Sequence, residues 1–293
     1  MWIYLNKRFV PREQALVSVL DHGFLYGDGV YETLRAYGGR IFMVRQHLER
    51  LERSARLIGL QPPLAMEEFP PLLAEAMRRN ELADAYIRIT LSRGEGAIGL
   101  DPALCPSPTL AIIVQPLPAY PARYYDEGVP LIISRTRRNL AEALPPVIKS
   151  LNFLNNILAK REATAAGAYD ALMLNAAGHV AECTTSNVFF VRRGRLCTPS
   201  LACGILDGIT RNVVLRLAKA EKLDCDEDVY READLFAADE CFLTNTTMEL
   251  MPVRTINDQP IGSGKPGSLT QSLHRAFRAH LPDYLQQRPG TLE

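Results

Sequence analysis

The sequence predicts an α+β (mixed α/β) chain arranged as two lobes. Three observations point there. Strict alternation of apolar and polar residues, as in Tyr86-Ile87-Arg88-Ile89-Thr90-Leu91, marks strands. Apolar positions that step by four and three, as in Val44, Leu48, Leu51, Ala55 and Ile58, mark helices among them. Three prolines in Pro116-Leu117-Pro118-Ala119-Tyr120-Pro121 resist both helix and central strand, and so divide the chain. The expected organisation is an N-terminal α+β domain over 1–116, a linker over 117–123 and a C-terminal domain over 124–293.

In order, strands over 2–5 and 8–10 flank a turn at Asn6-Lys7. Strands over 30–37 and 40–44 flank Gly38-Gly39, a strong two-residue hairpin signal. A helix follows over 44–58, with Gly59 as its C-cap. A second helix is expected around 72–80, a strand over 86–91 and a buried strand over 109–115. Beyond the prolines come a strand over 129–134, a helix from about 152 to 167 and a strand over 171–174. The turn Asn175-Ala176-Ala177-Gly178 leads to strands near 179–181 and 188–191. A helix over about 210–222, strands near 241–244 and 251–256, and a last helix over 269–280 complete the chain.

Apolar content of 47% and charged content of 23% are those of a globular protein with a sizeable core. A formal net charge of zero gives no electrostatic reason to expect nucleic acid or an anionic membrane as partner. No apolar stretch approaches membrane-spanning length, and the N-terminus does not read as a signal peptide. Six cysteines form no Cys-x-x-Cys pair and five scattered histidines show no i, i+4 pair, so no metal site is expected. The expectation is a reduced, cytoplasmic protein.

Lysine is used sparingly: of 33 Lys+Arg only six are lysine. Lys149 stands apart, between Pro145-Pro146-Val147-Ile148 and Ser150-Leu151-Asn152-Phe153-Leu154-Asn155-Asn156. A lysine among apolar neighbours must be paired, snorkel or shift its pKa, and one held partly neutral can form a Schiff base with an aldehyde. Alone, a snorkelling surface lysine would be the ordinary reading. Gly204-Ile205-Leu206-Asp207-Gly208-Ile209-Thr210-Arg211 brings two glycines and a threonine to the start of an amphipathic helix, where free N–H groups and a hydroxyl make a phosphate cradle. Thr244-Asn245-Thr246-Thr247 ends a strand with further donors, and Arg50 on the first long helix could complete a phosphate clamp. Glu182 is one carboxylate in a small and apolar stretch, Val180-Ala181-Glu182-Cys183-Thr184-Thr185-Ser186-Asn187.

Together, and with Asp21-His22-Gly23-Phe24-Leu25-Tyr26-Gly27-Asp28-Gly29-Val30-Tyr31-Glu32 at one end and Met251-Pro252-Val253 at the other, these five motifs resemble the class IV aminotransferases, the fold type IV pyridoxal phosphate enzymes. The group includes branched-chain amino acid aminotransferases, D-amino acid aminotransferases and 4-amino-4-deoxychorismate lyases. The resemblance implies the two-domain, D-amino acid aminotransferase-like fold, with the C-terminal domain binding the cofactor, and a homodimer. It implies pyridoxal 5′-phosphate as cofactor, with Lys149 as the Schiff-base lysine that also moves protons. Glu182 would pair with the pyridine nitrogen. Arg50, Ile209, Thr210 and Thr246 would anchor the phosphate. The backbone amides of Thr246 and Thr247 match positions that bind the substrate α-carboxylate.

The branch follows from the remaining residues. Tyr26, Tyr31 and Tyr86 match a side-chain pocket of the branched-chain type, and Arg88 matches an arginine near the carboxylate site. The loop Arg93-Gly94-Glu95-Gly96-Ala97-Ile98-Gly99-Leu100-Asp101-Pro102 lacks the Arg-x-His clamp of the D-specific type. Cys183-Thr184-Thr185-Ser186-Asn187 departs from the usual branched-chain pattern, and Thr33 stands where the lyases carry threonine. The expected activity is transfer of the amino group of a branched or apolar L-amino acid to 2-oxoglutarate. The alternatives are a 4-amino-4-deoxychorismate lyase making 4-aminobenzoate and pyruvate, a D-amino acid aminotransferase without the usual clamp, or a non-enzymatic binding module on the same scaffold.

Overall fold

The structure is a computed structural model that describes residues 1–285. The chain divides into two compact units. Of the described residues, unit 1 comprises Met1–Pro118, Ile148–Asn152 and Leu281–Leu285; unit 2 comprises Ala119–Val147 and Phe153–His280. The first crossing falls within the proline-rich stretch, and the chain returns to unit 1 for only five residues around Lys149.

Unit 1 opens with β1 (Trp2–Leu5), β2 (Arg8–Pro11) and the short helix α1 (His22–Tyr26). Then come β3 (Gly29–Tyr37), β4 (Arg40–Ile41), α2 (Val44–Leu57), α3 (Phe69–Arg79), β5 (Ala85–Ser92) and β6 (Thr109–Pro116). The six strands form one antiparallel sheet in the order β2-β1-β6-β5-β3-β4. Both glycines of the β3–β4 turn have positive φ, 53° and 84°, the combination a tight hairpin turn requires. One face of the sheet, with Val30, Leu34, Ala36, Ile87, Ile89 and Leu91, is buried against Leu48, Leu51 and Ala55 of α2 and Leu73 and Met77 of α3. Leu48, Leu51 and Ala55 recur at helical spacing, and burying a leucine of this kind contributes roughly 2 kcal/mol. The opposite face carries the alternate residues Tyr31, Thr33 and Arg35 of β3 and Tyr86, Arg88 and Thr90 of β5.

Unit 2 contains α4 (Ala122–Glu127), β7 (Val129–Ile133), α5 (Leu154–Ala165), β8 (Asp170–Leu174), β9 (Val180–Cys183), β10 (Asn187–Arg192) and β11 (Arg195–Pro199). It continues with α6 (Ile209–Ala220), β12 (Cys225–Asp228), α7 (Glu232–Phe236), β13 (Glu240–Asn245), β14 (Glu249–Ile256), β15 (Gln259–Pro260) and α8 (Ser268–Ala279). A final short helix, α9 (Leu281–Leu285), belongs to unit 1. The unit 2 sheet is mixed, in the order β12-β11-β10-β13-β14-β7-β8-β9, with β15 on β14. Its parallel pairs are β11/β12, β14/β7 and β7/β8.

Several element boundaries differ from the sequence expectation by a few residues, and three of them have a local cause. The strand expected to reach residue 44 stops at Ile41, because Phe42 and Met43 are both fully buried and Met43 turns the chain into α2 with φ of 49°. The helix expected from 152 starts at Leu154, because residues 149–151 pair with β3 instead. The helix expected from 72 starts at Phe69, its Pro70 and Pro71 falling in the first turn, where a missing N–H costs nothing. Among the described residues, no helix is long and apolar enough to cross a membrane.

Candidate active site

Unit 1 holds Lys149 on a three-residue edge pairing. Tyr31 N donates to Lys149 O at 3.0 Å, Leu151 N donates to Gly29 O at 2.9 Å, and Ser150 bridges Val30. Lys149 N donates to Ser54 Oγ of α2 at 3.3 Å. The half-buried side chain is thereby aimed at Tyr31: Nζ donates to its hydroxyl at 3.2 Å and lies 4.4 Å from its ring centroid. The Arg88 guanidinium lies 4.0 Å from the same centroid, and its Nε donates to Thr90 Oγ1 at 3.1 Å. Register pairs Tyr31 with Thr90, Thr33 with Arg88 and Arg35 with Tyr86, so Tyr31, Thr33, Tyr86 and Arg88 share one sheet face. Tyr26 is placed differently. It lies on α1, partly exposed, where its hydroxyl accepts Gly99 N at 3.3 Å and its ring meets His22 edge-on at 5.0 Å.

Arg50 is buried on α2 and gripped by Glu32: Nε donates to Oε1 at 2.6 Å and Nη2 to Oε2 at 2.9 Å. His47 Nδ1 lies 2.8 Å from the same Oε2. Burial alone would push Glu32 up, but Arg50 and His47 outweigh it and hold the carboxyl well below the usual range. Burial pushes His47 down, and Arg50 and Lys149 add to that against the pull of Glu32, so the imidazole is neutral and Nδ1 is its donor. Neither Glu32 nor His47 was expected from the sequence, although Glu32 closes the motif that begins at Asp21.

Unit 2 orients Glu182 through three groups. Arg138 Nη2 pairs with Oε1 at 2.9 Å; Asn187 Nδ2 and Leu206 N donate to Oε2 at 3.2 and 3.1 Å. Arg138 is itself steadied by Asn156 Oδ1, at 3.0 Å from Nη1, and Asn187 also donates to Leu206 O at 2.9 Å. Nothing in Arg135-Thr136-Arg137-Arg138 indicated which arginine would reach this carboxylate. Ile209 and Thr210 are the first two residues of α6, both buried, with Gly208 as N-cap. A Cβ on Gly208 would lie 1.9 Å from Asn187 Oδ1, so only glycine fits there. Thr210 Oγ1 is buried without a hydrogen-bond partner.

The third cluster is the turn between β13 and β14. Thr246 is half-buried and Thr247 buried. Asn245 Oδ1 accepts Thr247 N at 3.0 Å, Thr247 Oγ1 at 3.1 Å and Met248 N at 2.9 Å, and Tyr120 OH lies 2.8 Å from Thr247 Oγ1. The Thr247 amide, expected to face substrate, is thus committed within the turn. Burial pushes the Cys183 and Cys241 thiols up, Cys241 to about 12, so neither is a ready nucleophile.

The sequence matches the model of the family described as amino-transferase class IV over residues 29–256. The chain belongs to the class IV aminotransferases. It is 43% identical over 278 residues to a putative branched-chain-amino-acid aminotransferase of Methanocaldococcus jannaschii, covering 95% of this chain and 96% of that one. It is 34% identical to the aminodeoxychorismate lyase of Bacillus subtilis, over 98% and 97% of the two chains. Its fold superposes on the branched-chain amino acid aminotransferase of Thermobaculum terrenum, solved in its PLP-form, with a TM-score of 0.84 at 31% identity, covering 97% of this chain and 94% of that one.

Class IV aminotransferases use pyridoxal 5′-phosphate, and the residues of this one suit that group. A buried hydroxyl without a partner at a helix N-terminus suits a phosphate. A buried, fully oriented carboxylate suits a protonated ring nitrogen.

Proposed function

We propose that this class IV aminotransferase takes the amino group from a branched-chain or other apolar L-amino acid and passes it to 2-oxoglutarate, working as a homodimer with pyridoxal 5′-phosphate. The observation that carries the reading is Lys149 Nζ held on the Tyr31 hydroxyl and ring, the placement a proton-carrying amine needs. The extent of identity to the M. jannaschii relative supports the branched-chain assignment.

When bound, the cofactor supplies a conjugated ring that accepts the electron pair left at the substrate Cα. Lys149 would hold it covalently and then carry the proton between Cα and the neighbouring carbon, with Tyr31 OH orienting Nζ. Glu182 would keep the ring nitrogen protonated, and Arg138, Asn187 and the Leu206 amide fix the direction of its carboxylate. Ile209 and Thr210 at the start of α6, with Arg50 and Thr246, would anchor the phosphate. Glu32 grips two nitrogens of the Arg50 guanidinium, which sets its plane. Tyr26, Tyr31 and Tyr86 would contact the substrate side chain, and Arg88 and the Thr246–Thr247 turn its carboxylate.

One observation favours the lyase as a second reading. Thr33 lies directly opposite Arg88 on the face that carries Tyr31, where a hydroxyl could relay a proton. A single panel separates the two. L- and D-amino acids with 2-oxoglutarate, and aminodeoxychorismate alone, are offered to the wild type and to Lys149→Ala. The expected result is glutamate formation from L-leucine, L-isoleucine and L-valine, lost in the variant. Pyruvate released from aminodeoxychorismate, with every amino acid ignored, would reject the aminotransferase reading.

A further inference from the structure

We propose that Glu249 is a positioning residue for recognition of the substrate α-carboxylate. The inference rests on reading the Thr246–Thr247 turn as the carboxylate-binding turn. Glu249 opens β14 with φ of 62°, in the left-handed region that side chains other than Gly and Asn avoid. Its side chain is buried, and Oε2 lies 2.7 Å from His274 Nε2 and accepts Arg278 Nε at 2.8 Å. Those partners are four residues apart, on one face of α8. Tyr125 of α4 stacks on the His274 ring at 5.5 Å and donates its hydroxyl to Met248 O at 2.9 Å.

Glu249 is also the register partner of Asn245, whose carboxamide closes the turn from inside. The four-residue path from Asn245 to Met248 is therefore fixed at both ends, by Asn245 within and by Glu249 and Tyr125 from two other elements. A hairpin needs none of this. Glycine at 249 would adopt the same φ without strain, and an exposed polar residue would cap β14 without an anchor. A charged residue kept in a disfavoured conformation by a second helix marks a turn whose position matters. Glu249 sets where the Thr246 amide stands, and so how well it meets a carboxylate.

The test uses holoenzyme and two amino donors that differ only in the carboxylate, L-leucine and 3-methylbutylamine. Their first half-reactions are followed by the absorbance of the bound cofactor. Calorimetric binding of 4-methylpentanoate gives a readout independent of turnover. In Glu249→Gln and Glu249→Gly the leucine-to-amine ratio of kcat/KM should fall about tenfold or more, the scale of a lost charge-assisted contact, with the amine little changed. Affinity for 4-methylpentanoate should fall in step, and cofactor affinity should hold. Should neither full replacement fold, Arg278→Met removes one of the carboxylate's two α8 partners from a largely exposed position and should give a smaller drop in the same ratio. An unchanged ratio in the variants, or full recovery in Glu249→Gly, overturns the proposal, since glycine relieves strain without restoring the anchor. A wild type that treats both donors alike overturns the carboxylate reading of the turn as well.

Discussion

Glu32 shows how a buried carboxylate can organise its neighbours and still be hard to read from sequence. It is fully buried, and its carboxylate is tolerable there only because Arg50 and His47 meet it. Each partner shifts in a direction with a pH consequence. The Glu32 pKa is depressed, so its contribution is present above the ordinary carboxylate range and is lost as pH falls below it. His47 is also depressed, so an unfolded chain takes up a proton near its ordinary pKa of about 6.5 that the native chain refuses. Stability should therefore fall between pH 7 and pH 5, by at most about 1.4 kcal/mol per pH unit from this one group. His47→Asn retains a donor for Glu32 and should flatten that slope in thermal melts at pH 5, 6 and 7. Equal slopes in both proteins would clear His47. Lys149 stands out in the sequence because lysine is rare here and its neighbours are apolar. Glu32, His47 and Arg138 were not, because their meaning comes from partners 15, 18 and 44 positions away.

At the scale of elements, the start of α6 is where local sequence and chemistry agree most closely. Gly204 to Arg211 announced a helix start with exposed donors, and α6 begins at Ile209 with Gly208 as its cap. The close approach of Asn187 to Gly208 was not legible, since it depends on β10 lying beneath that cap. Gly208→Ala places a methyl group into the Asn187 carboxamide, which also binds Glu182 and Leu206. The variant should melt lower and bind pyridoxal 5′-phosphate at least about tenfold more weakly, the scale of one lost charge-assisted contact. Absorbance titration of apoprotein gives the affinity, and an unchanged value would show that the cap tolerates the side chain. The Lys149 segment is the opposite case. Residues 148–152 have no strand periodicity because they pair for only about three residues, and the amide-rich run after Lys149 read as the first turn of α5 instead.

For the whole molecule, the α+β class and the sequence of hairpins and helices were legible because periodicity survives in long elements. Short ones such as α1, α4, β12 and α7 were not, being too brief to show a period. Exposed apolar residues remain on unit 1: Leu16, Val19, Phe24, Ile98 and Leu100, the last 82% exposed. The Tyr26–Gly99 and His22–Ala97 hydrogen bonds bring two of these loops together. Such a patch suits burial against a second copy, in keeping with the proposed homodimer. Sedimentation should give twice the 32.6 kDa chain mass, and Leu100→Asp should shift the protein toward monomer. A monomeric wild type would refute the assembly.

The return of five residues to unit 1 also orders events during synthesis. Met1–Pro118 can emerge from a ribosome and form its sheet, yet the free margin of β3 at Gly29–Tyr31 stays bare until residues 148–152 have been made. Ala119–Val147 of the other unit must be translated first. A gene cut at the proline-rich stretch would thus yield a fragment with an open strand edge and without Lys149. Such an edge is a template for pairing with other chains. Neither half of this protein can be inherited, exchanged or expressed as a contiguous module without leaving the lysine on the wrong piece.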